Sequence, residues 1–328
     1  MQQLAVLRLL ADGERHSARA LAEALGITQA DVCEQISSFP RWGLKVDAQR
    51  RASFRLSRPI DLLIREKVLA GLDDDVMTKV AWLAVFPEVD STNDFLLNAS
   101  PPSSNSLSVC LAEFQRTGRG RHGRRWYAPF GGGLCLSLGW CFDEVPRDLA
   151  ALSLAVGLVV RDVVHSVTGR WASLKWPNDL IWNDRKLGGV LVETSPGSQG
   201  RCYVVIGIGI NIWIEADCLE AVSDWPHGAV DLYRMTEGKQ PSRNALASQM
   251  IQGLEGLLDG YPAHGFQTQH AEFLKANYLK GLTVAVSEGK KQVLGEVVDV
   301  DVDGALVVRT GLGNRRILSG EVNVRLSS

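Results

Sequence analysis

The spacing of apolar residues changes period twice along this chain, which limits the fold to three unlike units in series. Up to about residue 60, apolar positions recur at helical intervals in short bursts. Leu4, Leu7 and Leu10 precede a break at Asp12-Gly13, Leu21 and Leu25 precede a stop at Gly26, and Val32, Ile36 and Phe39 mark a third segment. From about 61 to 275, strand-like and helix-like stretches alternate, as in a mixed α/β domain. Leu107–Phe114, Leu134–Trp140, Gly188–Thr194 and Tyr203–Ile212 read as strands, and Leu149–Val167 and Asn244–Leu258 as helices, the latter leaving Gly-Tyr-Pro at its end. After 276 the runs are short and β-rich, split by Glu288-Gly289, Asp303-Gly304 and Gly311–Asn314. Asp-Gly between β runs is a hairpin signal, and several such runs in about 50 residues point to a small β barrel. The expected division is 1–62, 63–275 and 276–328, in an α/β (mixed α+β) chain.

The first unit reads as a winged helix-turn-helix. Ser17 can cap the second helix, and Thr28 with Asp31 three residues on has the form of a capping box for the third. Gln49–Leu56 would form the wing. Between Thr28 and Phe39 the charged residues are Asp31 and Glu34, with no Lys or Arg, so phosphate contacts would fall to Arg50, Arg51, Arg55 and Arg58. This unit is expected to be dispensable for much of the chemistry.

The formal net charge of −2 in 328 residues gives no whole-protein pull toward nucleic acid or membrane. The longest apolar stretch, Leu149 to Val160, is interrupted by Arg161 and Asp162, short of the roughly 20 residues that span a bilayer, and reads as a buried helix. Six cysteines without C-x-x-C spacing read as small buried hydrophobes of a reduced, cytoplasmic protein.

Chemistry concentrates in four segments. Gln115-Arg-Thr-Gly-Arg-Gly-Arg-His-Gly-Arg-Arg-Trp126 packs five arginines and three glycines into twelve residues after an apolar strand. Glycines admit a ligand to the backbone N–H groups, arginines add forked donors for phosphate or carboxylate, and Trp126 is suited to cover a planar group. An isolated run of this kind is more often a solvated basic loop; set between two strands, it reads as a ligand loop. Lys175-Trp-Pro-Asn-Asp179 places a cation, an amide and a carboxylate around a proline-fixed turn, and Lys186 opens an apolar strand beside Gly188 and Gly189. Each alone would pass for an ordinary turn or edge charge. Gly207 and Gly209 alternate along Val205–Asn211, leaving one strand face bare enough for a flat ligand, though a bulge or tight packing would explain them equally. Asp90-Ser91-Thr92-Asn93 supplies hydroxyls and an amide, and as an N-cap would need nothing further.

Ser-Thr-Asn at 91–93, Gly-Arg-Gly-Arg-x-Gly-Arg at 118–124, Lys-Trp-Pro-Asn-Asp at 175–179, Lys-Leu-Gly-Gly at 186–189 and Gly-x-Gly-Ile-Asn at 207–211 resemble, in order, the motifs of biotin protein ligases. With its flanking units the layout resembles the bifunctional bacterial form, both ligase and biotin-operon repressor. The resemblance implies a catalytic fold like that of class II aminoacyl-tRNA synthetases and an SH3-like C-terminal barrel. It implies biotin bound by Ser91, Thr92, Asn93, Gln115, Arg119, Gly120 and Arg121, with Gly207 and Gly209 along its rings. Lys186 would stabilise adenylation and Arg121 would order the loop over the intermediate. Arg124, Trp126, Lys175, Asn178, Asp179, Asn211 and Arg325 would serve ATP, with Asp179 the candidate for Mg²⁺. The partners implied are a biotin carboxyl carrier protein, operator DNA and a second copy of the chain.

Two positions depart from the family pattern: His122 replaces a basic residue in the arginine run, and the wing reads Gln-Arg-Arg-Ala-Ser-Phe instead of a Gly-Lys-Gly-Tyr-like turn. The alternatives are a lipoate or octanoate ligase, against which the arginine-glycine run weighs, and a ligand-sensing regulator without catalysis.

Overall fold

The computed structural model describes residues 2–50, 52–196, 200–216, 218–219, 225, 227–288 and 291–324. Local sequence chemistry sets the first unit. α1 (Gln2–Leu10) is followed by β1 (His16–Ser17) and α2 (Ala18–Leu25), which Ser17 caps by accepting the Ala20 N–H at 3.0 Å. Gly26 ends α2 with φ of 66°, a conformation that favours glycine. Thr28 and Asp31 close the capping box on α3 (Gln29–Ser37): Thr28 Oγ1 accepts the Asp31 N–H at 3.1 Å and Asp31 Oδ2 accepts the Thr28 N–H at 2.9 Å. The Thr28 backbone N–H and hydroxyl, both donating to the Asp31 carboxylate, hold it below its ordinary pKa. β2 (Val46–Gln49) and β3 (Ser53–Leu56) form the expected hairpin, completed by β1 in the order β1-β3-β2.

The hairpin's charges are not those of an open cationic wing. Arg55 lies 3.4 Å from Asp47, which also pairs with Arg15, and Arg51 lies outside the described residues. Arg58 is a correction to the sequence reading. The chain turns inward after Leu56, so Arg58 is buried and donates to the carbonyls of Phe130 at 3.2 Å and Gly131 at 3.4 Å. Burial, with Arg243 nearby, lowers its pKa to about 10.

The central sheet runs β4-β5-β6-β10-β9-β8-β7. Its strands are β4 (Val80–Phe86), β5 (Leu107–Ala112), β6 (Gly133–Phe142), β7 (Ser173–Lys175), β8 (Asp179–Trp182), β9 (Arg185–Pro196) and β10 (Cys202–Asn211). β4 and β5 pair parallel and the other neighbours antiparallel. α4 (Arg65–Ala70) and α5 (Asp74–Lys79) lead into it, and α6 (Thr92–Asn98) follows β4. α7 (Leu152–Thr168) ends the helical stretch Leu149–Thr168, which is long and apolar enough to cross a membrane, and it buries Leu154, Ala155, Val156 and Val160 in the core. A short α8 (Leu232–Met235) precedes α9 (Arg243–His264). α9 outruns its expected end and passes through Pro262, because Tyr261 is buried in the core with its hydroxyl on the Asp148 carbonyl at 2.8 Å. Side chains alternate across a strand, so Ile206, Ile208 and Ile210 join the core with α7 and α9, while Gly207 and Gly209 face α6 and the arginine loop. Cys110, Cys135, Cys141 and Cys202 are buried; burial pushes the Cys110 thiol up to about 12 and Cys135 to about 11.

After α10 (His270–Ala276) come β11 (Thr283–Glu288), β12 (Lys291–Val300), β13 (Leu306–Thr310), β14 (Gly313–Ile317) and β15 (Glu321–Val324), antiparallel in the order β14-β13-β12-β11-β15. Gly304 takes φ of 85° in the Asp-Gly turn between β12 and β13. Its carbonyl accepts the Trp176 indole N–H at 2.9 Å, and Val284, Val286, Val297 and Val308 continue the central core without a break. The first unit has its own core, from Val6 to Ile60, which borrows Phe114 and Phe130 from the central unit.

Candidate active-site cleft

One cleft of about 970 Å³, mouth included, lies where α6, the arginine loop, β9, β10 and the C-terminal sheet converge. Its inner end is polar. Ser91 caps α6 by accepting the Asp94 N–H at 3.3 Å, while the Thr92 N–H and hydroxyl both reach Gln115 Oε1, at 2.8 and 3.0 Å. Asn93 donates to Glu193 Oε2 at 2.8 Å. The two strand glycines explain themselves here. A Cβ at Gly207 would overlap the Asn93 amide, and one at Gly209 would overlap the Trp126 ring. Glycine lets those two side chains lie on the strand.

The arginine loop is a hairpin of its own. Gly120 N–H donates to Arg124 O at 2.7 Å and Trp126 N–H to Gly118 O at 2.8 Å. At its tip His122 and Gly123 both have positive φ, 56° and 75°. Arg119 is engaged at the stem, through Nε to Asp94 Oδ2 at 3.2 Å and Nη2 to Glu193 at 2.9 Å. Arg121 lines the cleft, where burial pushes its pKa below the ordinary value.

The lysines meet over one carboxylate. Lys186 Nζ lies 2.8 Å from Asp179 Oδ1, and Lys175 Nζ lies 4.0 Å from Asp179 Oδ2 and 4.2 Å from the Trp225 ring centre. A Cβ at Gly189 would stand 3.3 Å from Asp179 Oδ1, so that glycine makes room for the carboxylate. The Trp176-Pro177 peptide is cis, and Asn178 Nδ2 donates to Val190 O at 2.8 Å.

The cleft thus brings together Ser91, Thr92, Asn93, Gln115, Arg119, Gly120, Arg121, Arg124, Trp126, Lys175, Asn178, Asp179, Lys186, Gly207 and Gly209. Asn211 is buried; its Nδ2 donates to Val230 O at 3.0 Å and Lys186 O at 3.4 Å, steadying the lysine's backbone, while its Oδ1 has no partner among the described residues. Arg325 lies outside the described residues; Gly320 and Val322 of the same segment line the cleft. Sequence reading missed Ser137, Asp94 and Glu193. A serine and a glutamate amid otherwise apolar strands were the available signal.

The first unit packs against the central one. Arg58 holds the loop's return at Phe130 and Gly131, Trp42 Nε1 donates to Glu88 Oε2 at 2.6 Å, and Lys45 pairs with Glu215 at 3.0 Å.

Residues 85–211 match the Biotin/lipoate A/B protein ligase family and residues 281–325 the Biotin protein ligase C terminal domain. The chain is 32% identical over 322 residues to the Bifunctional ligase/repressor BirA of Escherichia coli strain K12, covering 98% of this chain and 97% of that protein. It is 31% identical over 246 residues to the Biotin--[acetyl-CoA-carboxylase] ligase of Mycobacterium tuberculosis, covering 73% of this chain and 88% of that protein. The structure of the biotin protein ligase from Aquifex aeolicus in complex with biotin and ATP matches with a TM-score of 0.62 and 29% identity, over 75% of this chain and 100% of that one. Identity of 32% sustained along nearly the whole length places this chain in the biotin protein ligase family.

Proposed function

We propose that the cleft joins biotin to ATP as biotinyl-5′-AMP and then passes the biotinyl group to a lysine of a biotin carboxyl carrier protein. The observation that carries this reading is the meeting of Lys186, the arginine loop and the glycine-backed polar slot in one cleft. In the first step a biotin carboxylate oxygen attacks the α-phosphorus and the bond to pyrophosphate breaks. In the second the lysine amine attacks the acyl carbon and AMP leaves. The units 1–62, 63–275 and 276–328 are proposed as regulatory, catalytic and ATP-capping in turn.

Thr92, Asn93, Gln115 and the backbone of Gly207 and Gly209 would hold biotin, with Ser91 shaping the helix start beneath. Lys186 would meet negative charge as it develops between carboxylate and phosphate, a fixed cation in a partly desolvated place. Arg121 and Gly120 would close over the adenylate, keep water from it and fix its approach. Arg124, Trp126, Lys175 and Asn178 would face the nucleotide, and Arg325 is proposed to reach it from the C-terminal unit.

Asp179 does not fit the role of a resident metal ligand, since Lys186 and Lys175 flank it, and no group of three metal-ligating side chains occurs among the described residues. Mg²⁺ is therefore proposed to arrive with the phosphates of its nucleotide, as is usual for this ion. The test is to mix chain, biotin, Mg·ATP and a carrier domain and read the carrier by mass spectrometry. One biotinyl adduct on one lysine, dependent on ATP, is expected; a carrier left unmodified while the chain is folded would sink the reading.

One observation favours a second role. The relative named as ligase/repressor aligns with 98% of this chain, whereas the one named only as ligase aligns with 73%. Operator binding is therefore proposed for the first unit, with a homodimer formed on the adenylate. Because α3 carries Asp31 and Glu34 and Arg58 is buried, such binding would lean on the hairpin and weaken steeply with salt. A titration against the promoter of the protein's own biotin genes, at two salt concentrations, should show weak, salt-sensitive association. Tight sequence-selective binding that survives the higher salt would overturn that weighting.

A further inference from the structure

We infer that Glu193 and Ser137 set the hydrogen-bond polarity of the inner end of the cleft, so that it selects a ligand head carrying N–H donors; this rests on the biotin reading above. Four oxygens stand in a row there. Asn93 Oδ1 lies 2.6 Å from Ser137 Oγ, Ser137 Oγ lies 2.7 Å from Thr92 Oγ1, and Thr92 Oγ1 lies 3.0 Å from Gln115 Oε1. These three contacts share the protons of two hydroxyls, since a hydroxyl donates once. The row is one proton short.

That shortage depends on which way the two amides face. Gln115 is fixed because its Oε1 also accepts the Thr92 backbone N–H at 2.8 Å. Asn93 is fixed by Glu193, whose Oε2 accepts Asn93 Nδ2 at 2.8 Å, with the Leu191 carbonyl at 3.4 Å behind it. A carboxylate only accepts, so Asn93 cannot turn its oxygen toward Glu193. Arg119 in turn holds that carboxylate in place, from 2.9 Å. Glu193 is thus a positioning residue acting through Asn93, and Ser137, fully buried on β6 opposite Gly207, carries the polarity on to Thr92.

Thr92, Asn93 and Gln115 line the cleft and are themselves buried, so their surplus lone pairs meet little water. A ureido head with two N–H groups supplies what the row lacks. A dithiolane ring or plain alkyl end supplies no donor and leaves buried acceptors without one, the arrangement by which polar sites reject apolar analogues most strongly.

The experiment is calorimetric binding of biotin, desthiobiotin and octanoate to the full chain and to its Glu193→Gln and Ser137→Ala forms. Desthiobiotin keeps the ureido group without the sulfur ring, and octanoate has neither. Both substitutions should weaken biotin and desthiobiotin by about tenfold or more, in step, while octanoate changes less than about twofold. Equal weakening of all three ligands, or no weakening in either folded variant, would overturn the inference while the parent's binding of biotin leaves the functional reading standing. A parent chain that binds neither biotin nor desthiobiotin would overturn the functional reading and this inference with it.

Discussion

Lys186→Ala is expected to slow adenylate formation by about two to three orders of magnitude while the chain stays folded, the loss typical when one fixed donor to developing charge is removed. The geometry behind this is specific. The ammonium is held at the cleft by Asp179 at 2.8 Å, with the Trp126 ring centre 6.0 Å away, and its backbone is clamped by bonds to Gly228 and Val230 and by Asn211 from behind. A lysine so restrained spends little entropy on reaching its station, which is what a transition-state contact requires. Removing it leaves Asp179 with Lys175 still 4.0 Å away, so the fold keeps a counter-charge. Single-turnover formation of biotinyl-AMP, followed beside a circular dichroism melt, separates the two effects. A variant that adenylates within about threefold of the parent would remove Lys186 from the mechanism.

Arg243→Met should produce the largest loss of stability, about 3–5 kcal/mol, because it strands a buried carboxylate. Arg243 is fully buried at the start of α9. It donates to Glu113 Oε2 at 2.6 Å, to the Asp61 carbonyl at 2.8 Å, and twice to the Gly133 carbonyl, at 3.1 and 2.8 Å. Glu113, also buried, accepts the Leu63 N–H at 2.6 Å through its other oxygen. These residues stand at both ends of the segment carrying the arginine loop, and at the linker from the first unit. Replacing the pair together does far less harm, since no lone charge then remains; Arg243→Met with Glu113→Gln should recover most of the lost stability. Urea unfolding of the parent, the single variant and the double variant measures this. Equal destabilisation by the single and double changes would show that the charge pair is not the cause.

Much of this was legible in the sequence because the signals were local. Thr28 and Asp31 announce a helix start whatever surrounds them, and Gly26 and Asp303-Gly304 mark turns by backbone preference alone. Gly207 and Gly209 mark a strand face that something must approach. Other features depend on tertiary partners and left no such trace. Arg58 looks like any wing arginine until the turn after Leu56 buries it against the Phe130 and Gly131 carbonyls. Asn211 belongs to a motif, but that its Nδ2 holds the Lys186 and Val230 carbonyls depends on the fold. Glu193 and Ser137 gain meaning only when β9, β6 and α6 are brought together, and Pro262 argues for a helix end that the buried Tyr261 overrides.

The central claim is that this cleft activates biotin at its carboxylate with ATP, and exchange of labelled pyrophosphate into ATP measures that step alone. Run on the full chain with biotin, lipoate or octanoate in turn, and without an acceptor protein, it should show rapid exchange with biotin and exchange near background with the other two. Exchange supported by lipoate or octanoate as well as by biotin, or by none of the three in folded protein, would contradict the account.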